Sequence, residues 1–479
     1  MRTSFALALV LTACGTNPAP VTQPTDAGSD AAPADRGPMV EDFVTRPIPG
    51  STQRPGDPAR GYRALVNEGY VTCGVPWSVF SRAFGAAGAS QLPGREGRNA
   101  MLPYNFTAFR NRDGMEVVSA NCLTCHAGAL RGRLIVGLGN AQGDFTQDTG
   151  VLARASRAFV RTPEERAELD RWIERVETIS DYTRTLTVGV NPADNLTAIL
   201  IAHRDRDTLA WSPTPLLEPP PPVVVPVDVP PWWHMRRKNA MFYNASGRGD
   251  HARIMMTASA LCTDSVAEAR MIDSYFPDVR AYIASLQPPP WPFMTDTARA
   301  SQGREVFNRV CSTCHGTYGE GGAYPNLLVG LREVGTDPTL ALGASQFSQR
   351  FVDWYNRSYY GEAARIEPQQ GYVAPPLDGV WATAPYLHNG AVPTLSTLLD
   401  SRERPRFWTR AFTSNDYDPD AVGWRFTSLD HGHAGEPDLA RRSRIYDTTQ
   451  PGYNNQGHTY GDALSPEERT AVIEYLKTL

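Results

Sequence analysis

The chain has 479 residues, a formal net charge of −5, 41% hydrophobic and 20% charged residues. That balance fits a folded globular protein of two or three domains, and it excludes both a polytopic membrane protein and a chain disordered throughout. No overall basic field points to a nucleic-acid partner, and none is expected. Lysine occurs only at Lys238 and Lys477, so arginine carries nearly all the positive charge, and forty prolines with forty glycines imply many loops between short elements.

At the start of the chain, Met1-Arg2-Thr3-Ser4 supplies a positive segment and Phe5 to Leu11 a short apolar one. About 20 apolar residues are needed to span a bilayer, so this stretch reads as an export signal. It ends in Leu11-Thr12-Ala13-Cys14, which resembles the lipobox of bacterial lipoproteins, where the peptide is cut before the cysteine and the thiol is lipidated. The expectation is a signal peptide over 1–13 and a flexible Ala/Pro/Asp/Thr-rich tether over 14–40. The protein would sit in the periplasm or cell envelope, held to a membrane by its lipid alone.

The seven cysteines carry most of the function. Cys122-Leu-Thr-Cys125-His126 and Cys311-Ser-Thr-Cys314-His315 are both C-x-x-C-H pentads, the pattern of c-type haem attachment. Two thiols reach the two vinyl carbons of one porphyrin, and the following imidazole becomes the proximal iron ligand. A zinc site would need further Cys or His at short spacing, and none stands there. Two covalent haems c are therefore expected. Cys73 and Cys262 are left over, and an oxidising compartment permits a bond between them.

Helical signals flank the pentads. Val266–Leu286 has a helical pattern and is closed by Pro288-Pro289-Pro290, which marks a boundary. Thr297–Val310 places Ala300, Val306, Phe307 and Val310 on one side before the second pentad. Ser465, Pro466 and Glu468 form a capping box, and Val472, Ile473, Leu476 and Leu479 supply the buried stripe of a terminal helix. The end Ala281-Tyr282 to Leu286 echoes Glu474-Tyr475 to Leu479. The expected fold is mainly α: two class I cytochrome c-like haem domains with extended irregular loops, over 41–290 and 291–479. Pro213–Pro231 reads as a polyproline-like insertion in the first.

Sixth ligands separate an electron carrier from an enzyme, because an iron with one open face can bind peroxide or dioxygen. No methionine follows Met294, so the second haem has His388, His431, His433 and His458 to draw on. His458 stands in a loop just before the terminal helix, where small cytochromes c place this ligand. His388 reads as a partner for a haem propionate or a backbone carbonyl. The first haem has His203, His234, His251 and several methionines. Pro230 to Asn244, with Trp232-Trp233-His234 and Arg236-Arg237-Lys238, could line a haem pocket or be packing beside a solvated face.

The segment Ala374-Pro-Pro-Leu-Asp-Gly-Val-Trp381 through Ala384-Pro-Tyr-Leu-His388-Asn-Gly390 to Leu395 resembles the signature of dihaem cytochrome c peroxidases and their MauG-like and rubber oxygenase relatives. Arg404-Pro405, Asn455-Gln456-Gly457-His458 and the Trp-Trp-His segment are closest to the rubber oxygenase branch. The resemblance implies that His126 and His315 are proximal ligands and that His458 is the distal ligand of an electron-transferring second haem. It also implies an open first haem that does the chemistry, with Trp232, Trp233 and Phe242 as pocket residues. The oxidant would be peroxide or dioxygen, and electrons would come from a small redox protein or a quinol-linked donor. Peroxidases of this group place a methionine on the C-terminal haem, and the methionine count departs from that. Cleavage of a polymer does not follow, nor does a calcium ion between the domains. The different class of reading is a tethered electron carrier with both haems six-coordinate and no organic substrate.

Overall fold

The structure is a computed structural model that describes residues 45–85, 92–346 and 349–479. The signal peptide, the whole of the 14–40 tether and the lipidation residue Cys14 lie outside the described residues. Residues 42–479 form one compact unit, and no described helix is long and apolar enough to cross a membrane.

Two helix pairs organise the core. Asp57 caps the helix Pro58–Asn67 by accepting from the Arg60 N–H, with proline in its first turn, and this helix packs on Phe276–Ser285. Asp296 caps Thr297–Val310 in the same way, and that helix packs on Pro466–Leu476, whose Ser465–Glu468 capping box forms as the sequence indicates. Each crossing is made close by one glycine. A Cβ on Gly61 would stand 1.9 Å from the Asp278 carbonyl oxygen, and one on Gly303 would stand 1.8 Å from that of Ala471. The long helix expected over Val266–Leu286 is two helices, Val266–Asp273 and Phe276–Ser285. Pro277 is tolerated at the start of the second helix but not inside one continuous helix.

The expectation of a mainly α chain of two class I cytochrome c-like domains with irregular loops is corrected by the structure. The described residues are 41% helix and 13% strand, a mixed α/β architecture with six small sheets. The loops that read as irregular carry strand pairs. Phe106–Arg110 pairs antiparallel with Glu116–Ala120, and Val75–Pro76 joins from the other side. The Asn111 carboxamide closes that hairpin by accepting from the Asp113 and Met115 N–H groups. A tighter hairpin, Ala127–Leu130 with Arg133–Val136, follows the first pentad directly and turns through Arg131 and Gly132, both at positive φ.

Several pairings join early and late parts of the chain. Arg46–Pro47 pairs with Leu327–Gly330, and Gly247–Gly249 pairs with Ala364–Ile366. The proline-rich stretch is held by Asn195, which donates to the Val223 carbonyl and accepts from the Val225 N–H, and by a bridge between Asn191 and Val227. Cys73 and Cys262, both fully buried, are joined as a disulfide with their Cα atoms 5.4 Å apart.

Candidate haem sites

Each pentad folds as a single helical turn. At the second, Thr297–Val310 runs straight into Cys311, and the Cys314 and His315 N–H groups return to the Cys311 carbonyl. The His315 Nδ1 donates to the Pro375 carbonyl at 2.8 Å, which fixes the tautomer and turns the other nitrogen away from that segment. Across from it stands His458. The two ring centroids are 6.1 Å apart, with 58° between the planes. Metal–imidazole bonds of about 2 Å on both sides of one ion require a ring separation of this order. Burial holds both imidazoles in the neutral form: it lowers His315 and, with His315 and Arg404 nearby, pulls His458 down to about 3. The neutral ring is the one that ligates a metal. His458 Nδ1 is buried without a hydrogen-bond partner.

The loop that presents His458 is locked from behind. His458 has φ +46° and Gly457 φ +72°. The His458 N–H donates to Val334 O at 2.7 Å. Gly457 passes so close to Gly335 that a Cβ would stand 2.1 Å from its carbonyl carbon. The Arg404 guanidinium donates to the carbonyls of Asn455, Gly457 and His458 at 2.7, 2.6 and 3.0 Å, and to that of Leu398. Sequence reasoning noted Arg404 only as part of a resemblance. Its role as a clamp carries no local sequence signal, since the bonds join residues about 50 positions apart.

At the first pentad, Asn121 sets the turn by accepting from the Leu123 N–H, and the His126 N–H returns to Cys122. The Asn191 side chain points its Nδ2 at Cys125 Sγ, 3.0 Å away. His126 is pulled down to about 4 by burial, and its Nδ1 has no partner. The ring beside it is Trp232, stacked at 4.8 Å with 23° between planes. Among the described residues no histidine ring faces His126 as His458 faces His315. Met235 and Met255 do pack into the cluster that contains Cys122, Leu123 and Trp232.

Trp232 and Trp233 are consecutive yet face different clusters. Trp233 belongs to the one that contains Trp381 and Phe307 and touches Cys311. Its Nε1 donates to Asp378 O at 2.7 Å, and His234 Nε2 reaches the same oxygen at 2.9 Å. Asp378 also pairs with Arg236 and Arg237 at 3.2 and 3.1 Å. Three residues earlier in the chain, Pro375 holds His315. A short path of side chains and backbone therefore links the pentads: His126, Trp232, Trp233, then the Pro375–Asp378 segment and His315.

The remaining candidates fall elsewhere. His388 is buried and stacked on Tyr372 at 4.0 Å, with Tyr243 edge-on at 6.4 Å, and burial pulls it down to about 4. Phe242 sits at φ +67° in a turn closed by Met241 and Gly247, and 41% of its surface is exposed. His203 stacks on Trp211 and bonds to Ser212 O. His433 Nε2 bonds to Ile445 O, and His431 pairs with Asp430 at the surface. His251 keeps a buried Nε2 without a partner.

The paired imidazoles of the second site, the orphaned buried His126 nitrogen of the first and the free thiols beside each fit a covalently held haem. Comparison with known proteins agrees in kind. Residues 371–409, the strand and turn from Gly371 through Asp378 and His388 to Arg404 and beyond, match the family described as RoxA-like, cytochrome c-like. The match supports a rubber oxygenase-like cytochrome c relationship, haem c binding and a haem-dependent redox role. Two uncharacterized proteins of Sinorhizobium fredii are also similar. One, y4iJ, is 29% identical over 290 residues, 46% of this chain and 46% of its own length. The other, y4iM, is 29% identical over 303 residues, 54% of this chain and 66% of its own length. The chain thus spans about half of the first relative and just under two thirds of the second.

Proposed function

We propose that this protein is an exported dihaem c-type cytochrome oxidoreductase of the dihaem peroxidase superfamily. One haem would be bound at Cys122, Cys125 and His126 within 41–290, and a second at Cys311, Cys314 and His315 within 291–479. The observation that carries this reading is the inequality of the two sites: His315 faces a second imidazole at 6.1 Å, whereas the ring beside His126 is Trp232. A haem with both axial positions taken by protein supplies electron transfer, and one with an open face supplies reaction with peroxide or dioxygen.

The chain's own residues divide that work. His315 is oriented by Pro375 O, and His458 is held against it by Arg404 and the Val334 carbonyl, so this ligand set is rigid before anything binds. Trp232 shields one side of His126 from water, and Asn191 positions Cys125. Trp232 and Trp233 place two indoles between the sites, and Trp233 is fixed by its bond to Asp378. His388, stacked on Tyr372, is assigned to the haem periphery and Phe242 to the rim of the first pocket. Electrons would arrive from a small redox protein or a quinol-linked donor. Export and lipidation at Cys14 would keep the protein at the membrane face of the periplasm or envelope.

One observation favours the second reading, an electron carrier with both irons six-coordinate: Met235 and Met255 pack beside Cys122. Electron paramagnetic resonance of the ferric protein separates the two readings once the haem content is counted. A high-spin signal beside one low-spin bis-histidine signal is expected. Two low-spin signals in the fully ferric protein, with the haem still ferric after reduction of the other remaining low-spin, would replace the oxidoreductase with the carrier.

A further inference from the structure

We propose that the basic cluster of buried His251 with half-buried Lys238 and Arg280 receives the two propionate carboxylates of the first haem. The assignment deepens the function proposed above, since it rests on a haem attached at Cys122 and Cys125. Lys238 follows the Trp232–Arg236 turn, its N–H bonding back to His234 O, so it leaves the same turn that stacks Trp232 on His126. Its neighbours in the basic run, Arg236 and Arg237, are both taken by Asp378. Lys238 has no carboxylate, and burial alone pulls its ammonium down to about 8.

Arg280 lies on Phe276–Ser285, next to Val279, which packs in the cluster with Cys122 and Trp232. Its Nη2 donates to the Arg54 backbone carbonyl at 3.2 Å, and its Nε is buried without a partner. His251 opens the helix His251–Met255 with its Nε2 likewise unpartnered. Met255, one turn on and on the same face, reaches the Cys122 cluster. The helix Phe276–Ser285 packs on both the Trp232–Arg236 turn and His251–Met255, which brings together the elements that carry the three side chains, and burial, then Lys238 and then Arg280, pull His251 down to about 4.

The nearby carboxylates are already committed. Asp250 pairs with Arg54 at 3.0 Å, and Asp273 pairs with Arg54 at 2.7 Å and Arg253 at 2.8 Å. Two half-buried cations without a carboxylate carry a desolvation cost, and a haem attached at Cys122 and Cys125 would bring two carboxylates. His251 Nε2 donates to the same oxygens once a nearby carboxylate favours the protonated ring.

The test uses full-length protein with Lys238→Met, Lys238→Arg and Arg280→Met, counting haem per chain and titrating each haem potentiometrically. Removing positive charge beside the carboxylates favours the ferric state. The midpoint potential of the first haem should therefore fall in both methionine variants while that of the second stays put, and Lys238→Arg should restore it. Unmoved potentials at wild-type haem content would overturn the assignment, and if Arg280→Met does not fold, the two Lys238 variants decide alone. Inorganic phosphate that raises the melting temperature of wild type but not of Lys238→Met would reveal an exchangeable anion in the cluster, which also overturns it. A wild-type protein without haem at Cys122 and Cys125 would remove the proposed function itself, and this assignment with it.

Discussion

His458 depends on a residue that sequence spacing does not connect to it. Arg404 spends its guanidinium on backbone carbonyls on both sides of the ligand, and hydrogen bonds from a charged donor each contribute about 1.5–3 kcal/mol. Arg404→Met should keep both haems covalently attached, lower stability by about 3 kcal/mol and weaken the bis-histidine low-spin signal in favour of a high-spin one. His458→Ala should abolish that signal outright. A His458→Ala spectrum identical to wild type would show that another group is the ligand. For Trp233, replacement by phenylalanine removes the bond to Asp378 and one of the two indoles. Slower electron equilibration between the haems is expected, with both ferric spectra unchanged, as read by flash photolysis or stopped flow. At this scale the pentads are legible as motifs, because their spacing is local. The clamp, the stacking of Trp232 on His126 and the capture of His234 by Asp378 are not, because each depends on a partner far along the chain.

Secondary structure was legible where local and global signals agree. Thr297–Val310 is legible from its apolar stripe, and the start of the terminal helix from the coincidence of an N-cap, a proline in the first turn and an apolar stripe. Phe106–Arg110 and Glu116–Ala120 went unread although an Asn-Arg-Asp-Gly turn lies between them, since expectation placed loops around the pentads. The break at Ser274–Tyr275 was missed because the apolar pattern continues through it. The close crossings make a quantitative prediction. Gly303→Ala and Gly61→Ala each drive a methyl into a carbonyl at 1.8 and 1.9 Å, and overpacking of this kind costs about 1–3 kcal/mol or more. Gly343→Ala meets nothing within 4 Å in a helix and should gain about 0.5–1 kcal/mol. Denaturant unfolding of the three variants checks both signs, and equal destabilisation at Gly61 and Gly343 would refute the close-crossing argument.

For the whole molecule, the described chain is one compact unit in which strands near residues 46 and 247 pair with strands near 328 and 365. The proline run at 288–290 closes a helix, as the sequence indicates, but contacts across it are extensive. The Cys73–Cys262 bond closes a loop with a sequence separation of 189. Cross-links of that span stabilise by about 3–5 kcal/mol through the unfolded state. The double replacement of both cysteines by serine should lower the melting temperature, leave the haem spectra in place and abolish the dependence of stability on reductant. A variant as stable as wild type would show that the bond contributes little beyond packing.

That same bond also poses a problem of timing. A chain appears at its N-terminus first, so Cys73 is available long before Cys262, and the thiols that arrive in between are Cys122 and Cys125. If nothing intervenes, the earliest partner for Cys73 is a wrong one. Capture of the first pentad's thiols by porphyrin would remove those competitors before Cys262 arrives, so cofactor loading would double as proofreading of the cross-link.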